Sequence, residues 1–527
     1  MKVLLVSEFT GLGSTGYSNY YREIAKALHN GGHTVVELAS YGDNNIPAHL
    51  EYKASCPWKV ILNTPRTDSH DAPRYEEREA SSGDAKFGAW AFDIICAQEE
   101  PDVVIAIRDH WYDKFIIESP AAPYFISVLS PTVDSSPQKP DWLDTFGRCD
   151  IITTYNQWSE DWLKQQYSCH NMVAHISPSA ADDYKILDKK TCRKKLGIPE
   201  DIKLVGTVMR NQVRKRFPEL FEAMQKCPDT YLYCHTAYPD KGWNIPELLL
   251  QNNIQNRVFM TYMCSCGNYG AQLYSTRTPI CKRCGAKMET PSAKHGLPNA
   301  ALCEIYNSMD LYLQPASNEG FGIPLIEAAK CGVKCVTTDY SAQVDVIRKI
   351  GGIPMKPIAY SLDVDTCGKR AVIDIDELAN VINDPNSYNY SKQSIRDIYD
   401  QNYSWEKTGK RWLELVNNIK PKNLWGGPPQ VKQPLAYEEL ASRKVSNEDF
   451  LILCVLHVAC DETLLGSHLH VYMLDSLNSG YIMSNAGEGS IIPVDRKLVY
   501  NKFRSIRENI NTWENQKSQI KRSFQKS

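Results

Sequence analysis

Asn318-Glu319-Gly320-Phe321-Gly322-Ile323-Pro324-Leu325-Ile326-Glu327 is the stretch whose reading decides the fold of this 527-residue chain. Two carboxylates stand eight positions apart, with a flexible Gly-Phe-Gly between them. Leu311-Tyr312-Leu313 before it has the character of a buried strand. Leu325, Ile326, Ala328 and Ala329 after it have that of a helix closed by Gly332. Glu319 is thereby expected on a strand-to-helix loop, and Glu327 in the first turns of the helix. Backbone N–H groups at a helix start suit phosphate. A site that binds phosphate by backbone and offers two carboxylates can hold a nucleotide diphosphate-sugar, with one acid for the sugar and the other for the ribose.

Working outward, the N-terminal part alternates strand and helix. Val3–Val6 and His33–Leu38 are expected strands on either side of a helix, Tyr17–Asn30. Further strands are expected at Val103–Ile107, Tyr124–Val128 and Ile151–Thr154, while residues 42–90 have the look of an irregular, polar inserted loop. A second round starts near Thr191, with strands at Leu204–Val208, Tyr231–Cys234, Arg257–Met260, Leu311–Leu313 and Lys334–Thr337. This pattern predicts an α/β chain with two doubly wound, Rossmann-like domains facing across a cleft, where such folds place ligands.

The decisive stretch resembles the Glu-x7-Glu signature of retaining glycosyltransferases with two Rossmann-like domains (GT-B), the glycogen-synthase and sucrose-synthase type known as family four or group 1. Tyr403-Ser404-Trp405-Glu406-Lys407-Thr408, running into Trp412, resembles that family's closing helix. The resemblance implies that Glu319 lies beside the donor sugar and Glu327 binds the ribose, with Gly320, Phe321 and Gly322 in the donor site. It implies sugar transfer, of the hexosyl type, with retention of anomeric configuration. Thr10-Gly11-Leu12-Gly13-Ser14-Thr15-Gly16 resembles the family's glycine loop, so Gly11 and Gly13 are carried over. Alone, that loop would fit a dinucleotide-binding protein equally, with Glu37 offered for the ribose.

Gly206-Thr207-Val208-Met209-Arg210-Asn211-Gln212-Val213-Arg214-Lys215-Arg216 crowds cations onto one loop, which is costly unless they meet an anion. It resembles the family's Arg-and-Lys pair for the leaving diphosphate. Arg210 and Lys215 fit by order and spacing; Arg214 and Arg216 are the ambiguous neighbours. His110, in Ala106-Ile107-Arg108-Asp109-His110-Trp111, is the candidate for a His that contacts the transferred sugar in many members. Asp109 is its placed alternative, and a structural His the bland one. No Asp-x-Asp motif stands at a strand end in the core, so no catalytic divalent metal is expected.

Cys264-Ser265-Cys266-Gly267 and Cys281-Lys282-Arg283-Cys284-Gly285 pair four thiols as two knuckles, fourteen residues apart. That is the pattern of a structural zinc ribbon, a redox dithiol being the competing reading. In the first pair one residue intervenes where two are usual. The resembling family has no such ribbon, so the segment is expected to decorate the second domain without supplying catalytic groups. Cys454, His457, Cys460, His468 and His470 match no metal pattern and are expected to pack in a core.

The domain boundaries expected are 1–185 for the acceptor, 186–420 for the nucleotide-sugar with the ribbon at 261–290, a Pro-rich linker at 421–437, and an α+β extension at 438–527. The extension opens with an apolar strand, Phe450–Val458. It is expected to end in a helix carrying Val499, Phe503, Ile506, Ile510, Trp513, Ile520 and Phe524 as an apolar stripe under a basic outer face. That stripe is expected to dock on the protein's own body, with dimerisation or a membrane surface as the alternatives. Composition is that of a globular protein, with 43% hydrophobic and 23% charged residues and a net charge of −3. Such a balance disfavours a globally polyanion-seeking surface. No run has the length of a membrane span, and no export signal opens the chain. The seventeen scattered cysteines are therefore expected to be reduced, in a cytoplasmic protein. The acceptor stays open. A catalytically silent nucleotide-sugar-binding scaffold and a transferase acting on DNA bases are the rival readings.

Overall fold

The computed structural model describes residues 1–12, 16–167, 171–275, 277–292, 296–422, 425, 481–483 and 491–493. Two compact units divide the chain: Met1–Lys139 with Thr145–Leu424, and Pro140–Asp144 with Trp425–Ser527.

The larger unit holds two α/β sheets. The first is wholly parallel, in the order β3-β2-β1-β4-β5-β6: β1 Lys2–Glu8, β2 Thr34–Asp43, β3 Lys59–Thr64, β4 Val103–Ala106, β5 Ile126–Leu129 and β6 Ile151–Ile152. The second runs β10-β9-β8-β7-β11-β12-β13: β7 Lys203–Val208, β8 Thr230–His235, β9 Val258–Met263, β10 Tyr269–Leu273, β11 Leu311–Gln314, β12 Cys335–Thr338 and β13 Ile353–Met355. Only β10 is antiparallel there, returning along β9 at the sheet's edge. Central strands such as Val3–Val6 and Leu311–Leu313 are apolar throughout because helices cover both faces, and each of these residues is fully buried. A short antiparallel hairpin follows, β14 Ala359–Leu362 with β15 Lys369–Val372. This is the two-Rossmann architecture expected, with each sheet reversing its strand order beside the first strand, where ligand crevices form.

Residues 42–90 are not an irregular loop. They carry the helix Pro47–Ser55, the edge strand β3 and the helix Ala72–Ser82. The first of these helices buries no residue and the second buries only Ala72, so neither has an apolar stripe to betray it. β3 offers just Val60-Ile61-Leu62 between polar neighbours, as an edge strand paired on one side does.

The helix Trp405–Asn417 ends the larger unit by packing on the first helix, Gly16–Asn30. It is capped by Ser404, whose side chain accepts from the Lys407 backbone N–H. Trp412 is fully buried, and its indole N–H donates to the Tyr20 hydroxyl at 3.0 Å. Burial of that ring contributes about 3 kcal/mol. The two sheets are thus tied by a return of the chain to the first, as well as by the cleft itself.

In the smaller unit, β16 Tyr481–Met483 pairs antiparallel with β17 Ile491–Pro493. The strand expected at Phe450–Val458, the Cys/His cluster at 454–470 and the terminal apolar stripe lie outside the described residues. No helix among the described residues is long and apolar enough to cross a membrane.

Candidate active site

The loop from β11 to the next helix, Ile323–Lys330, is shaped by its glycines. Gly322 sits at φ +96° as the helix N-cap, a conformation that costs an L side chain. A Cβ on Gly320 would strike the Thr132 methyl group, so the backbone here lies tight against the loop after β5. Asn318 extends the seam by donating to Asp134 at 2.8 Å, and Asn156 donates to the Gly320 carbonyl at 3.2 Å.

Behind that seam lies a cavity of about 510 Å³, within the range typical of small-molecule sites. Glu319, Gly320, Phe321, Gly322 and Glu327 line it together with Arg210 and Arg214, which brings the two sequence motifs to one place. Gly16, Tyr17, Tyr20 and Thr132 line it from the first domain, and His235, Thr236, Ala237, Pro291 and Ser292 from the far side.

Glu319 is buried, and both of its oxygens meet cations. Arg214 donates to Oε2 at 2.6 Å, while Lys215 pairs with Oε1. Gln314 donates to Oε1 at 3.3 Å, and the backbone N–H of Glu319 donates to the Ser341 hydroxyl at 2.9 Å. Burial alone would raise the carboxyl, but Arg214 and then Lys215 outweigh it and hold Glu319 below its ordinary range. Burial, reinforced by Arg214, pushes Lys215 down to about 8 against the pull of Glu319. Arg210, chosen over Arg214 on spacing, also lines the cavity, yet its guanidinium turns to Asp240 at 3.1 Å and stays half exposed. Arg214 was thus the neighbour that spacing alone left ambiguous, and only the fold shows it on Glu319.

Glu327 is half-buried on its helix, where it lines the cavity and accepts from the Tyr306 hydroxyl at 2.7 Å. Burial raises its pKa, opposed by that hydrogen bond. Tyr184 and Asn299 border it in the cavity. These two tyrosines carried no motif and were legible only once the helix Asn299–Ser308 packed beside Ile323–Lys330.

His110 is buried and is not among the cavity-lining residues; its ring stands edge-on to Trp111 and Phe146, and burial pushes its pKa down to about 3. The placed alternative, Asp109, reaches the cavity through its neighbours. Tyr17 donates to Asp109 at 3.3 Å and shares a 2.5 Å hydrogen bond with Thr132. Burial, helped by Asp134, pushes Asp109 up to about 6. In the glycine loop, Gly11 packs under Phe9 and Tyr52 and is not among the cavity-lining residues. Gly16, at the start of the first helix, does line the cavity, and Gly13 lies outside the described residues. Glu37, offered for a dinucleotide ribose, is instead buried, accepting from Thr10 and Trp58.

The four cysteines converge. Their sulfur atoms all lie within 4.8 Å of one another, with Cys264–Cys284 at 3.4 Å and Cys266–Cys281 at 3.7 Å. A tetrahedral zinc with Zn–S bonds of about 2.3 Å needs sulfur–sulfur edges of about 3.8 Å, so the set fits such an ion. Gly267 and Gly285 turn the two knuckles at φ +82° and +75°. The single residue between Cys264 and Cys266 is accommodated by a tight turn in which the Gly267 N–H donates to the Cys264 carbonyl at 2.9 Å.

Comparison with known proteins agrees with this geometry. Residues 293–353 match the family described as Glycosyl transferases group 1. The phosphatidylinositol N-acetylglucosaminyltransferase GPI3 subunit of Saccharomyces cerevisiae is 28% identical over 125 residues, 23% of this chain. The chain spans about a quarter (25%) of that curated relative's length. Among solved structures, the fold is similar to a sucrose-phosphate synthase from Thermosynechococcus elongatus, with a TM-score of 0.58 and 16% identity over 79% of this chain and 98% of that one. It is also similar to Anabaena HepE in complex with UDP, with a TM-score of 0.52 and 14% identity over 80% of this chain and 100% of that one. The fold is that of the GT-B glycosyltransferases, and the family match supports a transferase.

Proposed function

We propose that this chain, a GT-B fold bearing a glycosyl transferases group 1 segment, moves a sugar from a nucleoside diphosphate donor to an acceptor with retention of anomeric configuration. The observation that carries the reading is Glu319, buried between Arg214 and Lys215 in a cavity that also holds Glu327. Glu327 and the hydroxyls around it would take the ribose. The start of the helix Ile323–Lys330, with Arg210 and Lys215, would take the diphosphate. Glu319 would accept hydrogen bonds from the sugar hydroxyls. The second domain binds the donor and the first the acceptor, their boundary falling near residue 185.

In the step proposed, the bond from the anomeric carbon to the phosphate oxygen breaks and its electron pair stays on that oxygen. The cations stabilise the charge that develops there, and they do so most strongly as it departs. The acceptor hydroxyl attacks from the same face and its proton passes to the leaving phosphate. We infer further that Cys264, Cys266, Cys281 and Cys284 hold one structural zinc, a closed site with no position open for substrate.

The test is a thermal-stability screen of nucleotide-sugars. It starts from UDP-linked hexoses and N-acetylhexosamines, because HepE binds UDP and the yeast relative is named for N-acetylglucosamine. A true donor at about a hundred times its Kd adds about 2.7 kcal/mol. A screen in which no nucleotide-sugar shifts the melt would remove the reading.

A further inference from the structure

The cysteine cluster is not remote from the cavity. Cys264 follows β9 directly, and Met263, the residue before it, exchanges two backbone hydrogen bonds with Glu289 at 2.8 and 2.9 Å. Thr290 comes next in the chain. Its hydroxyl donates to the Tyr238 carbonyl at 2.7 Å and accepts from the Tyr238 N–H at 3.2 Å. Pro291 and Ser292 then line the same cavity as Glu319, as do His235, Thr236 and Ala237, which lead into Tyr238. One hydroxyl therefore clasps together the two strips of backbone that form this end of the cavity.

The same strip also lines a second cavity of about 660 Å³, bounded by Tyr238, Tyr262, Met288 and Pro291 among others. Residues 289–292 are thus a partition bordering two cavities, with Pro291 and Ser292 lining both. Two of the anchors that hold them are the pairing to Met263 and the clasp to Tyr238, and the first of these sits one residue from a cysteine of the cluster.

We propose that the four-cysteine metal centre is a positioning element of the donor site: by ordering the segment 264–288 it holds the Glu289–Ser292 partition in place, so that nucleotide affinity depends on metal occupancy. This rests on the donor-site reading above. Without the ion the partition samples other positions, and the apparent affinity falls by the fraction of time it is in place.

The experiment is calorimetric titration of the full-length protein with UDP, GDP and ADP as probes, alongside zinc analysis. The wild type is expected to hold one zinc and to bind one of the three. Cys284→Ser is expected to lose the ion and bind about tenfold more weakly, as it would if the partition were in place about a tenth of the time. Thr290→Val is expected to keep its zinc yet bind more weakly, and Thr290→Ser, which restores the hydroxyl, to recover. If Cys284→Ser fails to fold, the Thr290 pair decides. Zinc-free Cys284→Ser binding as tightly as wild type would overturn the coupling and leave the donor site standing, as would Thr290→Val binding normally. A zinc-loaded wild type that binds none of the three probes would overturn the donor reading, and the coupling with it.

Discussion

Replacing Glu319 by Gln removes one negative charge from between two cations, the buried Lys215 and the partly exposed Arg214, while keeping the side chain's shape. Arg214 and Lys215 would then face each other without the carboxylate between them, Lys215 buried and Arg214 partly exposed on the cavity, with Asp134 still acting on both. Breaking a buried ion pair by removing one partner costs about 3–5 kcal/mol. Lys215 offers partial relief, because its pKa already stands at about 8 and losing the Glu319 charge lowers it further. Even at the wild-type value, shedding that proton at pH 7 costs only about 1.4 kcal/mol relative to keeping it. The expected loss is therefore about 2–4 kcal/mol near neutral pH, with Arg214 supplying the part that cannot be relieved. The pH dependence has a definite sign. Lys215 titrates lower in the folded protein than in the unfolded chain, so its charge opposes folding most at low pH. In the variant this penalty is larger below pH 8, so the stability gap between wild type and variant narrows as pH rises to about 8, where the wild-type lysine also discharges. Denaturant unfolding of wild type, Glu319→Gln and Glu319→Gln/Lys215→Met at pH 6, 7 and 8 measures all of this. The double variant, with one buried cation fewer, should regain part of the loss. A single variant within about 0.5 kcal/mol of wild type at every pH would refute the buried-counterion account.

Glu327→Ala should weaken donor binding, read by titration as a raised Kd with little change in the rate at saturation. Arg210→Ala should fold like wild type, because its half-exposed pair with Asp240 is worth under about 1 kcal/mol. It should still slow transfer, whereas Arg214→Ala should lose stability as well; equal behaviour of the two would mean the cations are wrongly distinguished. Asp109 binds its proton more tightly in the fold, at about 6, so its ionisation opposes folding above that pH. Asp109→Asn should accordingly raise the melting temperature at pH 7 and leave it unchanged at pH 4, with Asp113, also at about 6, keeping a residual slope.

What the sequence made legible was set by local pattern. The buried strands declared themselves as continuous apolar runs, and the Gly-Phe-Gly loop placed Glu319 and Glu327 correctly on loop and helix. Knuckles such as Cys281–Gly285 are local turns, so the cysteine cluster needed no tertiary information. Side-chain partners separated by a hundred residues did need it. Arg214 and Arg210 carry the same charge on one loop, and only the 3-10 turn Val213–Lys215 decides which of them points at Glu319. The edge strand β3 and its polar flanking helices were hidden because they bury so little. From sequence the ribbon is expected to decorate the second domain because the resembling family lacks one, and the hydrogen bond that ties the chain just beyond it to the cavity rim joins Thr290 and Tyr238, 52 positions apart.

The most direct test of sugar transfer at this site is proton NMR of a nucleotide-sugar identified by the screen, incubated with wild type and with Lys215→Ala. Following the anomeric proton reports both release of the diphosphate and the configuration of the sugar at the moment it is freed or transferred. The account predicts slow release by wild type, with the sugar first appearing in the donor's own anomeric configuration, and a much slower reaction in the variant. Release with inverted configuration, or equal rates from both proteins, would contradict it.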